Sequence, residues 1–555
     1  MSALSECIGI ALEDEPGLGA LTLSGFITEV CQKYPDREAL YWRNLEGEDQ
    51  RWSYAELYAE CEKVARSLLS MGIGKGSRVG VLITNRPEWI FATFGAALAG
   101  AVTVALNTFS TRSELQHQLM LADVEVLVLE QSVASHSFVE DMLELCPGLA
   151  AAPMGLYRHP QLPFLRRVVC VDEAGVQPGI QSWGDFLAEG ADIPAELVTA
   201  TAASCSATDD GLIFFSSGST AQPKAIQQSH RAATLQCWRA GRWYLLEENV
   251  RTWSANGFFW SGNFAMALGS TLSVGGCLVL QRFFQPDESL DLIQREKVSM
   301  AFAWPHQYAR LKECPGWANA DLSALIYVDK NGILGSHPSV NTEWLEPNGY
   351  GMTETFTFIA GGNSSEITDG SHGPVLAGNT VRIVDPDSGE ILPLGETGEI
   401  IIKGPTLTRG YLKTPPEQTF DGNGFIHTAD AGYLSAEGTL FWKGRLGDII
   451  KTGGANVSPT EIDAVLMQHP DLQSSFTVGI PDELLGEIVV SCVILRQGRS
   501  ADEESVRRFG RETLAAYKVP RRVLFFTEEE LPMTGSNKIR RSELKALVIG
   551  RLSDA

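Results

Sequence analysis

The sequence has no excess of basic residues. Its 555 residues include 44 Lys and Arg against 68 Asp and Glu, which gives a formal net charge of −24. Nucleic-acid-binding proteins rely on clustered Lys and Arg that contact phosphates, so this balance argues against a nucleic-acid partner. A polyanionic substrate would need cations gathered at its own site, because the field of the whole chain repels it.

Paired cysteines and a basic N-terminus are also lacking. The ten cysteines form no C-x-x-C pair and show no metal-ligand spacing, so we expect free thiols in a reducing compartment. The first residues, MSALSECIGIALEDEPGLG, carry acidic side chains where a secretory signal would need basic ones. We therefore expect a cytoplasmic protein.

One apolar run could be mistaken for a transmembrane segment. Residues 89–106, WIFATFGAALAGAVTVAL, have nearly the length that crosses a bilayer. However, residues 78–84 have the pattern of a buried strand, residues 87–99 that of a helix opened by proline, and residues 101–106 that of a second strand. The pattern predicts a βαβ unit and no transmembrane segment.

The length and the periodicity predict an α/β protein of two or three domains, since a single core stops growing at roughly 250 to 300 residues. Ser53 and Glu56 form a capping box before an amphipathic helix that Gly72 ends. After about residue 375, short β-prone runs indicate hairpins or a small barrel. A second capping box, Ser458 and Glu461 around Pro459, opens a helix in a separate C-terminal domain.

The strongest local signal is residues 214–224, FFSSGSTAQPK. The G-x-x-x-x-G-K-[ST] pattern of the Walker loop is absent, but small and hydroxyl residues follow an apolar strand and lead to a lysine. Backbone N–H groups and hydroxyls in such a segment can surround phosphate oxygens, and the lysine can neutralise their charge. The alternative interpretation is an ordinary surface turn.

A second constellation is residues 348–355, NGYGMTET. Tyr350 could stack on a purine, Thr353 could donate to a phosphate, and Glu354 could hold Mg²⁺ through its carboxylate. Taken alone, the same residues would be a loop with an incidental acid.

Four motifs occur in order along the chain: SSGSTAQPK, NGYGMTE, HTAD with GRLGD, and LPMTGSNKIRR. Together they make the chain resemble the adenylate-forming superfamily of acyl-CoA synthetases, firefly luciferase and nonribosomal-peptide adenylation domains. The acyl-CoA synthetases are the closest group. The resemblance implies an α/β N-terminal domain (1–446) of two helix-covered, mostly parallel sheets plus a small β-barrel-like subdomain. A hinge would join it to a small α+β C-terminal domain (447–555).

The resemblance also implies a role for each motif residue. The leaving pyrophosphate would be held by Ser216, Ser217, Gly218, Ser219, Thr220 and Lys224. Tyr350 and Gly351 would bind adenine, Glu354 the metal, and Asp430 the ribose hydroxyls, with Arg445 assisting at the ribose or phosphate. Thr353 would contact phosphate, and Lys538 would bridge the substrate carboxylate and the α-phosphate.

The same resemblance implies a moving C-terminal domain with its pivot at Gly447. Glycine tolerates almost any backbone dihedral, although the family usually has Asp or Lys there. After the movement, Lys451, Gly453 and Gly454 would face the site while the thiol attacks.

Several residues depart from the family pattern. Glycine positions are occupied by Ala221, Ala225, Ala429 and Asn537, which would cost one or a few kcal/mol if φ is positive or the backbone approaches closely. In the acid pocket, Trp260 of GFFWSGNF replaces a frequent histidine, with Asn263 nearby. Asp329, Lys330 and Asn331 occupy the usual Ser-Gly-Gly-Ala region, where they could contact a polar acid or form an internal ion pair. A plain long-chain fatty acid becomes less attractive as the substrate.

The sequence therefore predicts an AMP-forming acid–thiol ligase that uses ATP, Mg²⁺ and coenzyme A on a small carboxylic acid. Two alternatives stay open. The acceptor could be a carrier-protein thiol, an amine or another nucleophile, or the chain could be a non-catalytic nucleotide-binding homologue that has lost the four glycines.

Overall fold

The structure is a computed structural model that describes residues 3–216, 223–363, 370–452, 455–482, 485–514, 518–533 and 539–553. It divides into two compact units. The larger unit comprises Ile8–Thr380 and Lys403–Phe425, and the smaller comprises Met1–Cys7, Val381–Ile402 and Ile426–Ala555.

The α-helices, in chain order, are α1 (Leu23–Lys33), α2 (Tyr54–Ser70), α3 (Pro87–Leu98), α4 (Arg112–Leu121), α5 (Phe138–Leu145), α6 (Trp183–Ala188), α7 (Ala195–Ala203), α8 (His230–Trp243), α9 (Ser261–Asn263), α10 (Ser270–Ser273), α11 (Pro286–Arg295), α12 (Pro305–Lys312), α13 (Pro459–Leu466), α14 (Glu503–Arg511) and α15 (Arg541–Ser553). A π-helical stretch, Phe264–Gly269, joins α9 to α10.

The strands, in chain order, are β1 (Glu6–Ile8), β2 (Glu38–Arg43), β3 (Asp49–Ser53), β4 (Arg78–Leu82), β5 (Val102–Ala105), β6 (Val126–Leu129), β7 (Ser132–Val133), β8 (His136–Ser137), β9 (Arg167–Cys170), β10 (Gln181–Ser182), β11 (Asp210–Ser216), β12 (Lys224–Ser229), β13 (Arg251–Ser254), β14 (Cys277–Leu280), β15 (Met300–Phe302), β16 (Asn348–Tyr350), β17 (Ala360–Gly362), β18 (Thr380–Val384), β19 (Gly398–Lys403), β20 (Gly410–Tyr411), β21 (Ile426–Leu434), β22 (Leu440–Arg445), β23 (Ile450–Thr452), β24 (Ala455–Val457), β25 (Leu472–Asp482), β26 (Gly486–Leu495) and β27 (Arg522–Phe525).

Two mostly parallel sheets form the framework of the larger unit. The eight-stranded sheet has the order β10-β9-β6-β4-β5-β11-β12-β20, and the second has the order β15-β13-β14-β2-β3. In the first, β4 and β5 pair in parallel, as do β5 and β11, whereas β12 runs antiparallel to both of its neighbours. Parallel strands need a crossover, which the intervening helices provide. The predicted fold class is confirmed.

The apolar run at residues 89–106 forms most of the helix and the second strand of the predicted βαβ unit. Helix α3 begins at Pro87, buries every residue except Glu88, and leads into β5 beside β4. Because α3 packs against α2 inside the core, its sequence is apolar all round. Among the described residues, no helix has the length and apolarity needed to cross a membrane.

Local capping signals determine the ends of two helices. Ser53 and Glu56 form the full predicted capping box at the start of α2. At α13 only half of the second box forms. The Ser458 hydroxyl accepts from the Glu461 N–H at 3.4 Å, but the Glu461 carboxylate bonds Lys518 Nζ at 2.6 Å instead. A tertiary ion pair thus replaces the local bond.

The smaller unit contains two five-stranded sheets. One has the order β1-β18-β19-β21-β22, and the other contains β24-β23-β26-β25 with β27 beside β26. The short β-prone runs after residue 375 supply the first sheet, as predicted. Helices α13, α14 and α15 pack on the second sheet through apolar residues that include Ile462, Val506 and Leu544.

Candidate active site

The two ends of the predicted phosphate segment lie side by side in the larger unit. Strand β11 ends at Ser216 and β12 begins at Lys224, and these two residues are paired in antiparallel register. Ser217, Gly218, Ser219, Thr220 and Ala221 lie outside the described residues, and of Ser216 only the backbone is described. Lys224 itself is exposed at the start of its strand.

A tyrosine joins Lys224 to Glu354. The Lys224 ammonium lies 4.9 Å from the centroid of the Tyr411 ring, and the Tyr411 hydroxyl donates to Glu354 Oε1 at 2.8 Å. Burial raises the pKa of Tyr411, as do the charge and hydrogen bond of Glu354, so the phenol stays protonated as a donor. The predicted phosphate cation and the predicted metal carboxylate thus belong to one cluster.

Backbone and amide contacts hold Glu354 in place. It lies in a 3₁₀ turn, Thr353–Thr355, and only 7% of it is exposed. The Thr408 N–H donates to the Glu354 carbonyl at 2.6 Å. Gln228 Nε2 on β12 donates to the Thr353 carbonyl at 2.6 Å, which ties the turn to the strand that Lys224 begins.

Gly351 is required by a close backbone approach. A Cβ at this position would lie 1.4 Å from the Thr357 carbonyl oxygen, far inside any allowed contact. Tyr350, the predicted adenine residue, ends β16, is 6% exposed and meets His372 edge to face at 6.5 Å between centroids.

The predicted acid-pocket residues on α9 and before it are held by internal contacts. Asn263 accepts from Ser254 Oγ at 2.8 Å and donates to the Asn256 carbonyl at 2.5 Å. The Trp260 ring packs at 5.5 Å from the ring of Phe259. Neither residue is among those that line the cavity described next.

A cavity of about 420 Å³ lies in the larger unit near β15. Its walls include Phe302, Tyr308, Tyr327 and Trp344, and its polar lining comes from Asp329, Asn331 and Glu346. Lys330 does not line it, because its ammonium pairs with Glu343 at 2.9 Å on the surface. Asp329 and Asn331 therefore line the cavity, whereas Lys330 forms an ion pair with Glu343.

The predicted ribose carboxylate lies in the smaller unit. Asp430 on β21 is paired in register with Arg445 on β22, and Arg445 Nε lies 3.2 Å from Asp430 Oδ1. A second guanidinium N–H of Arg445 donates to the Thr428 carbonyl at 2.9 Å, and the Asp430 N–H donates to the Thr428 hydroxyl at 3.0 Å. The convergence of this pair with the Lys224 cluster on one nucleotide stays a prediction.

The two described departures from family glycines differ. Ala429, directly before Asp430, has φ of 56°, in the left-handed region that disfavours side chains. Its N–H donates to Glu399 Oε1 at 3.0 Å. Ala225 lies within strand β12 and is not among the residues with positive φ. Ala221 and Asn537 lie outside the described residues.

The predicted pivot Gly447 lies in the 3₁₀ turn Leu446–Asp448. Its φ is not positive here, and a Cβ would meet nothing within 4 Å. Lys451 is exposed on β23, and its N–H donates to Glu487 Oε2 at 2.9 Å. Gly453, Gly454 and the predicted catalytic Lys538 lie outside the described residues.

The donor set fits a magnesium ion that is carried by phosphates. Within the described ranges no group of three or more His, Cys, Asp or Glu side chains could hold a metal by itself. Mg²⁺ is commonly held by one or two carboxylates together with substrate phosphates, and the single carboxylate of Glu354 suits that role.

Comparison with known proteins adds the decisive observation. The model of the AMP-binding enzyme family matches residues 27–412, and the model of the AMP-binding enzyme C-terminal domain matches residues 461–538. The chain belongs to the AMP-binding enzyme family. The family resemblance of the four motifs is thereby confirmed, and so is the prediction of a ligase-type enzyme.

Relatives and solved structures of this family cover nearly the whole chain. A putative acyl-CoA synthetase, YngI of Bacillus subtilis (strain 168), is 27% identical and aligns with 95% of this chain and 97% of its own. The anthranilate CoA ligase AuaEII, solved with anthranoyl-AMP, superposes with a TM-score of 0.76 at 25% identity, covering 98% and 99%. The amide bond synthetase McbA from Marinactinospora thermotolerans has the same fold, with a TM-score of 0.72 at 24% identity, covering 95% and 99%.

Three residues that help to build this cluster belong to none of the four sequence motifs. Tyr411 stands in a run, GPTLTRGYL, that matches none of the four motifs. Gln228 holds the Thr353 carbonyl, and Gln236 on α8 donates to the Thr355 and Phe358 carbonyls at 3.2 and 2.6 Å. For the two glutamines, the indication in the sequence was a polar residue on an otherwise apolar face of a strand or helix.

Proposed function

We propose that the protein joins a carboxylic acid to coenzyme A in two steps that consume ATP. In the first step, a carboxylate oxygen attacks the α-phosphorus, the bond to the bridging oxygen breaks, and pyrophosphate leaves. In the second step, the thiolate of coenzyme A attacks the acyl carbon, and AMP leaves with the bonding electrons.

The observation that carries this proposal is the Lys224–Tyr411–Glu354 cluster. The Lys224 ammonium lies 4.9 Å from the centroid of the Tyr411 ring, and Glu354 Oε1 lies 2.8 Å from the Tyr411 hydroxyl. The lysine would neutralise charge on the phosphates, and the Glu354 carboxylate would hold a magnesium ion, so the cluster suits Mg·ATP. Magnesium would supply electrostatic stabilisation of the departing pyrophosphate.

The remaining roles follow the family motifs residue by residue. Asp430 would accept hydrogen bonds from the ribose hydroxyls, with Arg445 beside it. Tyr350 and Gly351 would lie at the adenine. Lys538 would align the substrate carboxylate with the α-phosphate in the first step.

We also propose that the chain pivots at Gly447 between the two steps, so that residues 447–555 move as a domain. The first family model ends at residue 412 and the second begins at residue 461, so position 447 lies between the two matched ranges. Because a Cβ at 447 meets nothing within 4 Å, Gly447→Ala should leave acid-dependent pyrophosphate exchange intact and slow thioester formation. Equal loss in both steps would contradict the pivot.

Acid-dependent exchange of labelled pyrophosphate into ATP tests the first step. Lys538→Ala should lower the exchange rate by orders of magnitude while ATP still binds. Lys63→Ala is a suitable control, because that lysine pairs with Glu60 at 2.7 Å on the surface of α2. Exchange that does not depend on Lys538 would overturn its role.

The acceptor is tested by following AMP and the acyl product with coenzyme A, a carrier protein or an amine present. We expect a thioester that requires coenzyme A. ATP binding without exchange across a broad acid panel would instead support the non-catalytic alternative. Because Asp329, Asn331 and Glu346 line the cavity near β15, the panel should include polar and aromatic acids beside fatty acids.

A further inference from the structure

Arg445 lies between two carboxylates in the smaller unit. Its Nε is 3.2 Å from Asp430 Oδ1, and Asp448, three residues farther along the chain, also attracts it. Burial raises the pKa of Asp448, while Arg541 and then Arg445 act to lower it, and Asp430 acts to raise it. Asp430 and Asp448 therefore compete for one guanidinium.

A second arginine neutralises Asp448. Arg541, the first residue of α15, has its Nε 3.2 Å from Asp448 Oδ2 and its Nη2 3.5 Å from Asp463 Oδ2. Its remaining guanidinium nitrogen donates to the Thr477 carbonyl at 2.5 Å. With a side chain only 21% exposed, Arg541 is held in this position by three partners.

Asp463 does not depend on Arg541 alone. Its Oδ1 accepts hydrogen bonds from Ser475 Oγ at 3.0 Å and Thr477 Oγ1 at 2.7 Å. Within the described residues Asp448 accepts no such hydroxyl hydrogen bonds; Arg541 is its ion-pair partner, and Arg445 and Lys545 are further cations that act on it. Loss of Arg541 would therefore leave Arg445 as the cation that acts most strongly on Asp448, ahead of Lys545.

We propose that Arg541 is a positioning residue for the nucleotide site: by neutralising Asp448 it keeps Arg445 on Asp430, the carboxylate that would receive the ribose hydroxyls. The inference rests on the proposed function, because it takes Asp430 as the ribose acceptor. Charges alternate along the series Asp430, Arg445, Asp448, Arg541 and Asp463, so removing one member re-pairs its neighbours. Arg541 would thus act on ATP binding through another residue.

The proposal predicts a rescue that a purely structural role would not produce. In calorimetric titration of the full-length protein with Mg·ATP, Arg541→Gln should weaken binding about tenfold, in the range of ordinary coupling between neighbouring groups. Adding Asp448→Asn removes the competitor for Arg445 and should restore most of the affinity. Arg541→Lys, which keeps a positive charge beside Asp448, should lie closer to the wild type than Arg541→Gln.

Arg540→Gln is the matched control, because within the described residues its one ion-pair partner is exposed Glu543, so the change should leave ATP affinity unchanged. Thermal melting of each variant separates stability from positioning. Both Arg541→Gln and the double variant lack the contact to Asp463, so the double variant should regain ATP affinity without regaining the stability that this contact provides. A double variant that binds ATP as weakly as Arg541→Gln, or unchanged binding by Arg541→Gln, would overturn the inference. A wild-type protein that binds no ATP would overturn the proposed function itself.

Discussion

The Tyr411 hydroxyl offers the sharpest test of the candidate site. Tyr411→Phe keeps the ring beneath Lys224 and removes only the hydrogen bond to Glu354 Oε1, which is 2.8 Å long. A hydrogen bond to a charged group contributes roughly 1.5 to 3 kcal/mol. If Glu354 holds the metal, this loss should raise the magnesium concentration at the midpoint of the exchange titration by roughly 10-fold to 150-fold, because 1.4 kcal/mol corresponds to tenfold.

The assay is pyrophosphate exchange measured across a magnesium titration at fixed ATP and acid. Tyr411→Phe should shift the magnesium midpoint upward, whereas Tyr411→Leu should in addition raise the KM for ATP, since it removes the ring that faces Lys224. Tyr433→Phe is a matched control, because the Lys443 ammonium lies 5.4 Å from the Tyr433 ring in the smaller unit.

An unchanged magnesium midpoint in Tyr411→Phe would refute the assignment of Glu354 as the metal carboxylate held by this hydroxyl. A change in the KM for ATP alone would mean that the cluster serves the phosphates without the metal. The two outcomes are separable because the ring and the hydroxyl contact different charged groups.

Three further predictions concern the backbone and the protonation state. Gly351→Ala puts a Cβ 1.4 Å from the Thr357 carbonyl oxygen. The substitution should therefore lower the free energy of unfolding by more than about 3 kcal/mol and abolish pyrophosphate exchange. A variant with normal stability would contradict the backbone placement. Ala429→Gly relieves the backbone strain of a residue with φ of 56° and should raise the free energy of unfolding by about 1 kcal/mol, measured by denaturant titration. A lower free energy of unfolding in this variant would show that the strain is absent. Burial lowers the pKa of His230 from 6.5 to about 4, so the unfolded state takes up the proton first as the pH falls. The His230 contribution to stability should be nearly constant above about pH 6.5 and fall by about 2 kcal/mol by pH 5, and His230→Gln should remove this part of the pH dependence.

Local chemistry made part of the fold predictable from the sequence. The capping box at Ser53 and the proline at the start of α3 act within a few residues, and the structure has both. The βαβ interpretation of the apolar run succeeded because strand, helix and strand signals stood in succession. At Ser458 the same local rule succeeded only in part, since Lys518 from a distant segment took the Glu461 carboxylate.

The candidate site was predictable only as far as its motifs reach. Glu354 and Lys224 belong to recognisable segments, but the residue that joins them does not. Tyr411 reaches them because β20 pairs with β12, where Ile226 faces Tyr411, and such a pairing between distant segments leaves no periodic signal in either one. The same holds for Arg541, whose role depends on three partners from separate elements.

The cost of the lost glycines bears on the choice between an enzyme and a non-catalytic homologue. Ala225 lies in a regular strand and requires no unusual dihedral, so its Cβ carries no backbone penalty. Ala429 carries one penalty of roughly 1 to 2 kcal/mol, and the hydrogen bond from its N–H to Glu399 helps to hold the strained backbone. A penalty in overall stability does not remove a charged side chain, and Lys224, Glu354, Asp430 and Arg445, which we propose as nucleotide-binding residues, are all present. The departures that the structure describes therefore favour a working ligase over a degenerate one.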